Sequence, residues 1–560
     1  MRDGIDIPAL LRCLSEGVVE RDRVLRVSLL GAIAGENVLL LGPPGTAKSL
    51  IARRLAGVFQ GARYFQYLLT RFTSPDELFG PVSLRQLKEN DEFSRKISGY
   101  LPTAEVAFID EIFKASSAIL NSMLTIINER LYFNGAQVVQ VPLLVMVAAS
   151  NEIPAEEELV ALYDRFAVRL DVHPISDVEN VLRMLRHPEP SGDWGVPEAL
   201  RLTLDDVHAV RAGARNTTLS PAVERVLVRV KRGVDELTDR APDDAWRYYV
   251  SDRRWRQAMR LLRAAATISG RDVVHVVDCG LLRHCLWNRP EDAPAIGDLI
   301  DAALEEVAAG FELDLKPLAV GWVRLLVEMR DQEGVGRPIY DGYVLTHGGT
   351  RYVMTDLRAA AAMKNTYDSV KSTSFWFDAK LNTVRKVRLR GDGAILFNAG
   401  YAPIPVTENA GFAAQVRAGH VPVFEEGTVQ IDRKVNPGVA LDFSTVDGAR
   451  QTPWLKEIAG LRGVVATRRD TLSAAMAEHE ARVREHLFVG DAEVRGLRAG
   501  LLRIELMLRE WDAKLRSLEE SLAEQRDYET ADIDASGQVT TEAAMRVLAE
   551  GSRSTAPHRR

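Results

Sequence analysis

The stretch "NVLLLGPPGTAKSL", residues 37–50, constrains the fold more than any other part of the chain. An apolar run long enough for one buried strand meets a Gly/Pro turn, and a helix-forming segment follows. The spacing nearly satisfies the phosphate-loop pattern of Gly, four residues, Gly-Lys, then Ser or Thr. Gly42, Lys48 and Ser49 fit, and Ala47 stands where glycine is usual. Such a loop binds phosphates with backbone N–H groups at a helix N-terminus, where the dipole favours anions. The loop Gly42, Pro43, Pro44, Gly45, Thr46, Ala47, Lys48, Ser49 and Leu50 is therefore the candidate nucleotide site. Gly42 and Gly45 allow the turn and close backbone approach. Lys48 reaches β/γ-phosphates and Ser49 ligates Mg²⁺. Ala47 is expected to begin the helix, where alanine is conformationally acceptable. The alternative is a Gly/Pro turn that merely opens a core helix.

"VAFIDE" supplies a second piece, a buried strand ending in Asp110 and Glu111. Open α/β sheets bind ligands at the carboxyl ends of their strands. There Asp110 would hold Mg²⁺, directly or through water, and Glu111 would activate the attacking water. "LLVMVAASNEIP" is another buried strand, ending in Asn151, whose amide suits positioning of that water. Taken alone, Asn151 reads more often as a turn residue. "LYDRF" adds Arg165, and "VSDRRW" places Arg253 and Arg254 at a helix start, where the dipole disfavours cations unless a phosphate is near.

The intervening segments alternate helical and strand-like patterns, so residues 1–185 read as a doubly wound α/β core with a parallel sheet. Residues 186–290 carry helical periodicity and read as an all-α lid. Residues 291–335 form a helical segment, with 296–330 as one helix. Alternating segments between Gly, Asn and Pro turns make 336–444 a β-rich interaction module. In 445–530 the apolar residues Val494, Leu497, Leu501, Ile504, Leu508, Trp511, Leu515, Leu518 and Leu522 recur at helical spacing, which gives one seam on a long helix. Residues 461–487 are its candidate antiparallel partner in a helical bundle. Residues 531–560 read as a mobile tail.

Composition excludes several classes. A chain of 560 residues with 46% hydrophobic and 27% charged residues is too long for one core and ordinary for a globular protein. The formal net charge of −7 argues against a generally basic nucleic-acid surface. Three cysteines make no disulfide framework and suit a reducing cytoplasm. Cys279, His284 and Cys285 cluster without a zinc-ribbon pattern and read as buried thiols. The start of the chain lacks the apolar stretch of a signal peptide, and no apolar run is long enough to span a bilayer.

With these residues assembled, the chain resembles the AAA+ ATPases, and within them the MoxR family. "GPPGTAKS" has the alanine seen in that family's loop. "FIDEIFKASSAILNSMLTIINERLYFNG" (108–135) looks like its Walker B segment, and "TRFTSPDELFGP" (70–81) is similar to the lead into its helix-two insert. The β-rich module flanked by helices is similar to the RavA branch. The resemblance implies Lys48 and Ser49 as the Walker A pair and Asp110 and Glu111 as the Walker B pair. It further implies Asn151 as sensor 1, Arg165 as an arginine finger acting on a neighbouring subunit, and Arg253, or the adjacent Arg254, as sensor 2. A finger in trans implies a homo-oligomeric ring, a hexamer. ATP and Mg²⁺ are the implied ligands. Protein clients and a partner carrying a von Willebrand factor A domain are the implied associates. A DNA-processing motor and a nucleotide-gated scaffold with little turnover are the competing readings. The lack of a basic cluster counts against the motor, and the presence of Glu111 and Arg165 counts against the scaffold.

"DIDASGQVTTEA" (532–543) resembles an EF-hand loop, with Asp532, Asp534, Ser536 and Gly537 in place. Ala543 stands where the bidentate Glu belongs, and Glu542 falls one residue early, so a turn before a helix is expected instead of a calcium site.

Overall fold

The computed structural model describes residues 6–154, 157–186, 195–244, 246–309, 315–338, 439–530 and 532–533, together with the backbone of short strands between 343 and 433. The chain divides into two units, one of Met1–Phe311 with Ser473–Ile504, the other of Glu312–Leu472 with Glu505–Arg560.

The first unit is built on a five-stranded parallel sheet of β1 (Val38–Leu41), β2 (Tyr64–Leu68), β3 (Val106–Asp110), β4 (Val145–Ser150) and β5 (Val168–Asp171), in the order β2-β3-β4-β1-β5. β1 lies at an interior position with all four side chains buried, as expected of a run of Val and Leu covered on both faces. Burying each of these side chains contributes about 2 kcal/mol. Helix α1 (Asp22–Ala34) precedes β1, and α2 (Lys48–Ala56) follows it. At the carboxyl end of β1, Leu41 is in register with Ser150 of β4 and Asp171 of β5, so the loop after it emerges between two neighbouring strand ends. A further helix, α3 (Ser117–Glu129), and a hairpin of Leu131–Asn134 with Gln137–Gln140 lie between β3 and β4.

The helical part begins at α4 (Leu204–Asn216), where Thr203 and Asp206 form a reciprocal capping box. It continues through α5 (Pro221–Asp239) and α6 (Asp252–Ile268), whose first turns are capped by Ser220 and Ser251. A 3₁₀ stretch at Val276–His284 leads to α7 (Ala293–Ala309). The one departure from an all-α lid among the described residues is a two-residue parallel pair, Thr218–Leu219 with Val273–Val274. The segment 473–504 packs on this lid: a Cβ on Gly496 would sit 2.4 Å from the Cα of Asp301, an approach that only glycine permits. Buried His486 Nε2 lies 2.7 Å from the buried Asp278 Oδ1 of the lid, and the exposed Arg23 of α1 holds the buried Glu493 of the segment, Nη2 to Oε1 at 2.7 Å.

The expected single helix over 296–330 is two, the first in the first unit and the second in the second. α7 ends at Ala309, and α8 runs from Lys316 to Asp331 with Pro317 in its first turn, where a missing N–H costs nothing. α9 (Gly448–Glu485) and α10 (Arg495–Ala523) are the two long helices; both begin in one unit and end in the other. The apolar repeat falls on α10, save Val494 just before it, with every member buried except Trp511, which is half-buried. In the second unit Trp322 of α8 meets Trp511 edge-on at 6.0 Å. Strands Gly336–Pro338, Val439–Leu441 and Tyr528–Thr530 form an antiparallel sheet. Between 343 and 433 the described strands pair antiparallel in two small sheets, one led by Tyr343–His347 with Val429–Arg433. Asp532, first residue of the calcium-like loop, accepts hydrogen bonds from Trp322 Nε1 and Lys514 Nζ at 2.8 Å each, so its carboxylate serves this packing. The rest of that loop, Asp534 to Ala543, lies outside the described residues.

Candidate functional site

The loop Gly42–Ala47 is held against the ends of β4 and β5. Gly42 N–H donates to Ser150 O at 3.1 Å, and a Cβ at Gly42 would lie 2.3 Å from Val172 O. With φ of 147° at Gly42 and 80° at Gly45, both turns need glycine. Ala47 corrects the sequence reading. It precedes α2 as its N-cap residue, with φ 68° and ψ 23° in the left-handed region, a conformation that costs a non-glycine residue roughly 1–2 kcal/mol. The strain is stored at the turn that aims the helix.

That helix start has no side-chain cap. Its first N–H groups, with the positive end of the helix dipole, remain available to an anion. Lys48 Nζ donates to Gly42 O and Pro43 O, both at 2.8 Å, and the lysine is nearly buried. Burial lowers its pKa, and the nearby Asp110 and Glu111 oppose that shift. Neutral carbonyls are weak acceptors for an ammonium, and a phosphate oxygen would replace them with charge-assisted bonds. The donor set thus fits a nucleotide triphosphate, and Ser49 with Asp110 fits a divalent cation of the Mg²⁺ type, which takes few protein ligands.

Asp110 ends β3 and Glu111 follows it. Glu111 N–H donates to Asp110 Oδ1 at 3.0 Å, and Glu111 itself is left-handed, at φ 54°. Lys114 Nζ lies 3.2 Å from Glu111 Oε2. Such strain at a charged residue on a strand end is typical of functional positions. Asn151 follows β4 directly and is exposed at the bend.

The arginines separate. Arg254 is buried, donating to Asn288 Oδ1 at 2.5 Å and to Tyr249 O. Burial, with Arg169 beside it, pushes its pKa down to about 9. Arg253 is exposed at the start of α6, which leaves it alone of the pair free to meet a phosphate. Arg165 donates to Ala161 O, and its Nε is buried without a partner among the described residues. Burial lowers its pKa, as does the neighbouring Arg253. The structure therefore brings Lys48, Asp110 and Glu111 together, and groups Arg165 with Arg253.

Sequence reasoning missed Arg21. This nearly buried residue donates from Nε to Thr46 O at 3.2 Å and from Nη2 to His173 O at 2.6 Å, bracing the phosphate loop against the segment after β5. Glu20 beside it accepts from Ser176 N and Asp177 N, at 3.2 and 3.3 Å. No local signal marks either residue, because their partners lie far along the chain. Cys279 and Cys285 are fully buried thiols whose pKa burial raises, Cys285 to about 12, and His284 Nε2 lies 3.6 Å from Glu493 Oε1.

Comparison with known proteins agrees with this geometry. Residues 6–191 match the family model described as the MoxR domain of the MoxR-vWA-beta-propeller ternary systems, and residues 222–300 match an AAA lid domain. Two uncharacterized proteins of Methanocaldococcus jannaschii are 39% and 37% identical over 282 and 287 residues, covering 50% and 51% of this chain and 70% and 71% of theirs. A protein named chaperone MoxR1 from Mycobacterium tuberculosis is 26% identical over 269 residues, 46% of this chain and 68% of that one. Sheet order, phosphate loop and lid define a P-loop ATPase of the AAA+ type. Within that class the chain belongs to the MoxR family. The matching model is that of the ternary-system MoxR domain, not the RavA branch suggested by the C-terminal architecture. Among the described residues no helix is long and apolar enough to cross a membrane.

Proposed function

We propose that the chain is a Mg²⁺-dependent ATP hydrolase that assembles into a ring, a hexamer, and uses turnover to remodel protein clients beside a partner with a von Willebrand factor A domain. The observation that carries this reading is Lys48 lying under the electrostatic influence of both Asp110 and Glu111 on an uncapped helix start. When bound, ATP with Mg²⁺ supplies the phosphoanhydride and the cation that neutralises its charge. Lys48 and the N–H groups of the loop hold the phosphates, and Ser49 and Asp110 position the cation. Glu111 takes the proton of the attacking water, and Asn151 orients that water. Arg165 approaches from the next subunit, which accounts for a guanidinium whose Nε has no partner among the described residues. Arg253 senses the phosphate from the lid. The matched domain's description names vWA and beta-propeller components, and this supports the partner assignment.

The test is Glu111→Gln. Phosphate release should fall by roughly 10²–10⁴-fold while ATP binding persists. The trapped protein, held in ATP, should then retain a von Willebrand-type partner together with a protein client. Unchanged hydrolysis sinks the assignment of Glu111, and retention of nucleic acid alone sinks the remodelling role.

A further inference from the structure

At the end of β1 opposite the phosphate loop, the fold gathers what the linear sequence scatters. A cavity of about 580 Å³ lies between α4 and α6, and Arg211, Arg215, Arg256, Arg260 and Arg263 line it beside Trp255. Ala34, Ala214 and Ala264 add small apolar side chains. The lack of a basic cluster inferred from the sequence is thereby corrected. Two of the five arginines are committed. Arg211 donates to Ile33 O at 2.9 Å and Ala32 O at 3.0 Å, closing the C-terminus of α1, and Arg260 Nε lies 2.5 Å from Glu36 Oε1. Arg215, Arg256 and Arg263 form no ion pair among the described residues. Within the lining, Trp255 Nε1 and Arg263 Nε are buried with no hydrogen-bond partner among the described residues.

The two buried donors without acceptors are costly, and the arginines around them bring like charges to one half-open cavity, so an anion there would satisfy both. Its volume is that of a small-molecule pocket. Guanidinium forks match phosphate oxygens two at a time, and an indole adds a face for stacking and an N–H for a further acceptor. We propose that this cavity is a second anion site, separate from the ATPase loop, that takes a small molecule carrying two or more phosphates. A nucleotide and inorganic polyphosphate share that chemistry, and Trp255 discriminates between them because only a nucleotide brings a base to stack. The proposal rests on no part of the ATPase reading, since none of its residues belongs to the loop or to the ends of β3 and β4.

The experiment is calorimetric titration of the full chain carrying Lys48→Ala, first with tripolyphosphate and then with ADP. Saturable binding of at least one of them is expected, weakened at least tenfold by Arg215→Ala with Arg263→Ala. Arg215→Ala with Arg256→Ala, both at exposed positions, serves as the second variant should the first lower the thermal midpoint. A further loss for ADP alone in Trp255→Leu identifies the nucleotide, and equal binding in Trp255→Leu identifies polyphosphate. Absence of saturable binding overturns the site, as does binding that neither arginine pair alters. So does capture of a single-stranded oligonucleotide that tripolyphosphate fails to displace.

Discussion

Arg169 on β5 and Arg254 on α6 donate to the same atom, Asn288 Oδ1, at 2.7 and 2.5 Å. One cation belongs to the sheet and the other to the lid, and both are buried. The acceptor they share is neutral, so the joint is held by hydrogen bonds, by the Arg169 guanidinium 4.0 Å over the Tyr163 ring, and by Asp164, 3.7 Å from Arg254 Nε. Removing Asn288 Oδ1 leaves two desolvated guanidinium groups facing each other.

Asn288→Ala should therefore destabilise the first unit by about 2 kcal/mol, because two buried guanidinium donors lose their shared acceptor while Asp164 stays in place. Urea denaturation followed by tryptophan fluorescence measures it. A loss below about 1 kcal/mol would show that the cations find other acceptors.

At Ala47 two effects oppose. Glycine relieves left-handed strain of roughly 1–2 kcal/mol and loosens the unfolded chain by about 0.4–1 kcal/mol. Ala47→Gly should leave stability within about 1 kcal/mol of the parent and ATP turnover within roughly twofold. Ala47→Val, β-branched at positive φ, should cost about 2 kcal/mol or more and lose nucleotide affinity. Thermal melts with and without nucleotide, alongside phosphate release, test both. A Val variant as stable as the parent would mean the loop readily leaves this conformation.

What the sequence discloses and what it hides divide along one line. The phosphate loop, Asp110 with Glu111, and the repeat on α10 are local patterns, each set by strand burial or helical period within a few residues. Gly42's close approach depends on the path of the chain at Val172, Arg21's role on carbonyls at Thr46 and His173, and the five-arginine cavity on two separate helices. No window of sequence contains those relationships. Arg253 and Arg254 are indistinguishable by type and differ only in which face of α6 each occupies. The break between α7 and α8 was missed, although Pro317 is the kind of residue that marks a helix start.

Arg21→Ala should raise the KM for ATP about tenfold with a smaller effect on kcat. The loop keeps its chemistry but loses the brace between Thr46 O and His173 O. Arg21→Lys should recover at most part of the loss, because one ammonium lacks the fork that spans both carbonyls. Steady-state kinetics on the three proteins decides. A fall in kcat with KM unchanged would assign Arg21 to the chemistry itself.

Acid should release the 473–504 segment from the lid. Burial alone would raise the pKa of Asp278, but hydrogen bonds from Arg271 and His486 outweigh it and hold the pKa at about 2. Glu493 is likewise buried yet held at about 2 by His284 and Arg23. Carboxylates with depressed folded pKa contribute stability above their unfolded values, near 4, and lose it as pH falls toward 2, by roughly 2 kcal/mol each. Hydrogen exchange of the segment should therefore accelerate between about pH 4.5 and 2. In His486→Phe the Asp278 share of that dependence should shrink. A segment whose exchange free energy stays flat across this window would refute the linkage.

Arg165 offers the sharpest test of the ring. The structure sets it beside Arg253, with Nε buried and unpartnered among the described residues. If it completes a neighbour's site, Arg165→Ala and Lys48→Ala should each be nearly inactive alone, the first lacking the finger and the second the phosphate contact. Mixed in equal amounts and allowed to exchange subunits, they should regain roughly a quarter of parental turnover, because one interface in four joins an intact loop to an intact finger. Phosphate release from the mixture, against each variant alone, gives the answer. A mixture no more active than its parts would place Arg165 within its own subunit's site and remove the argument for catalysis between subunits.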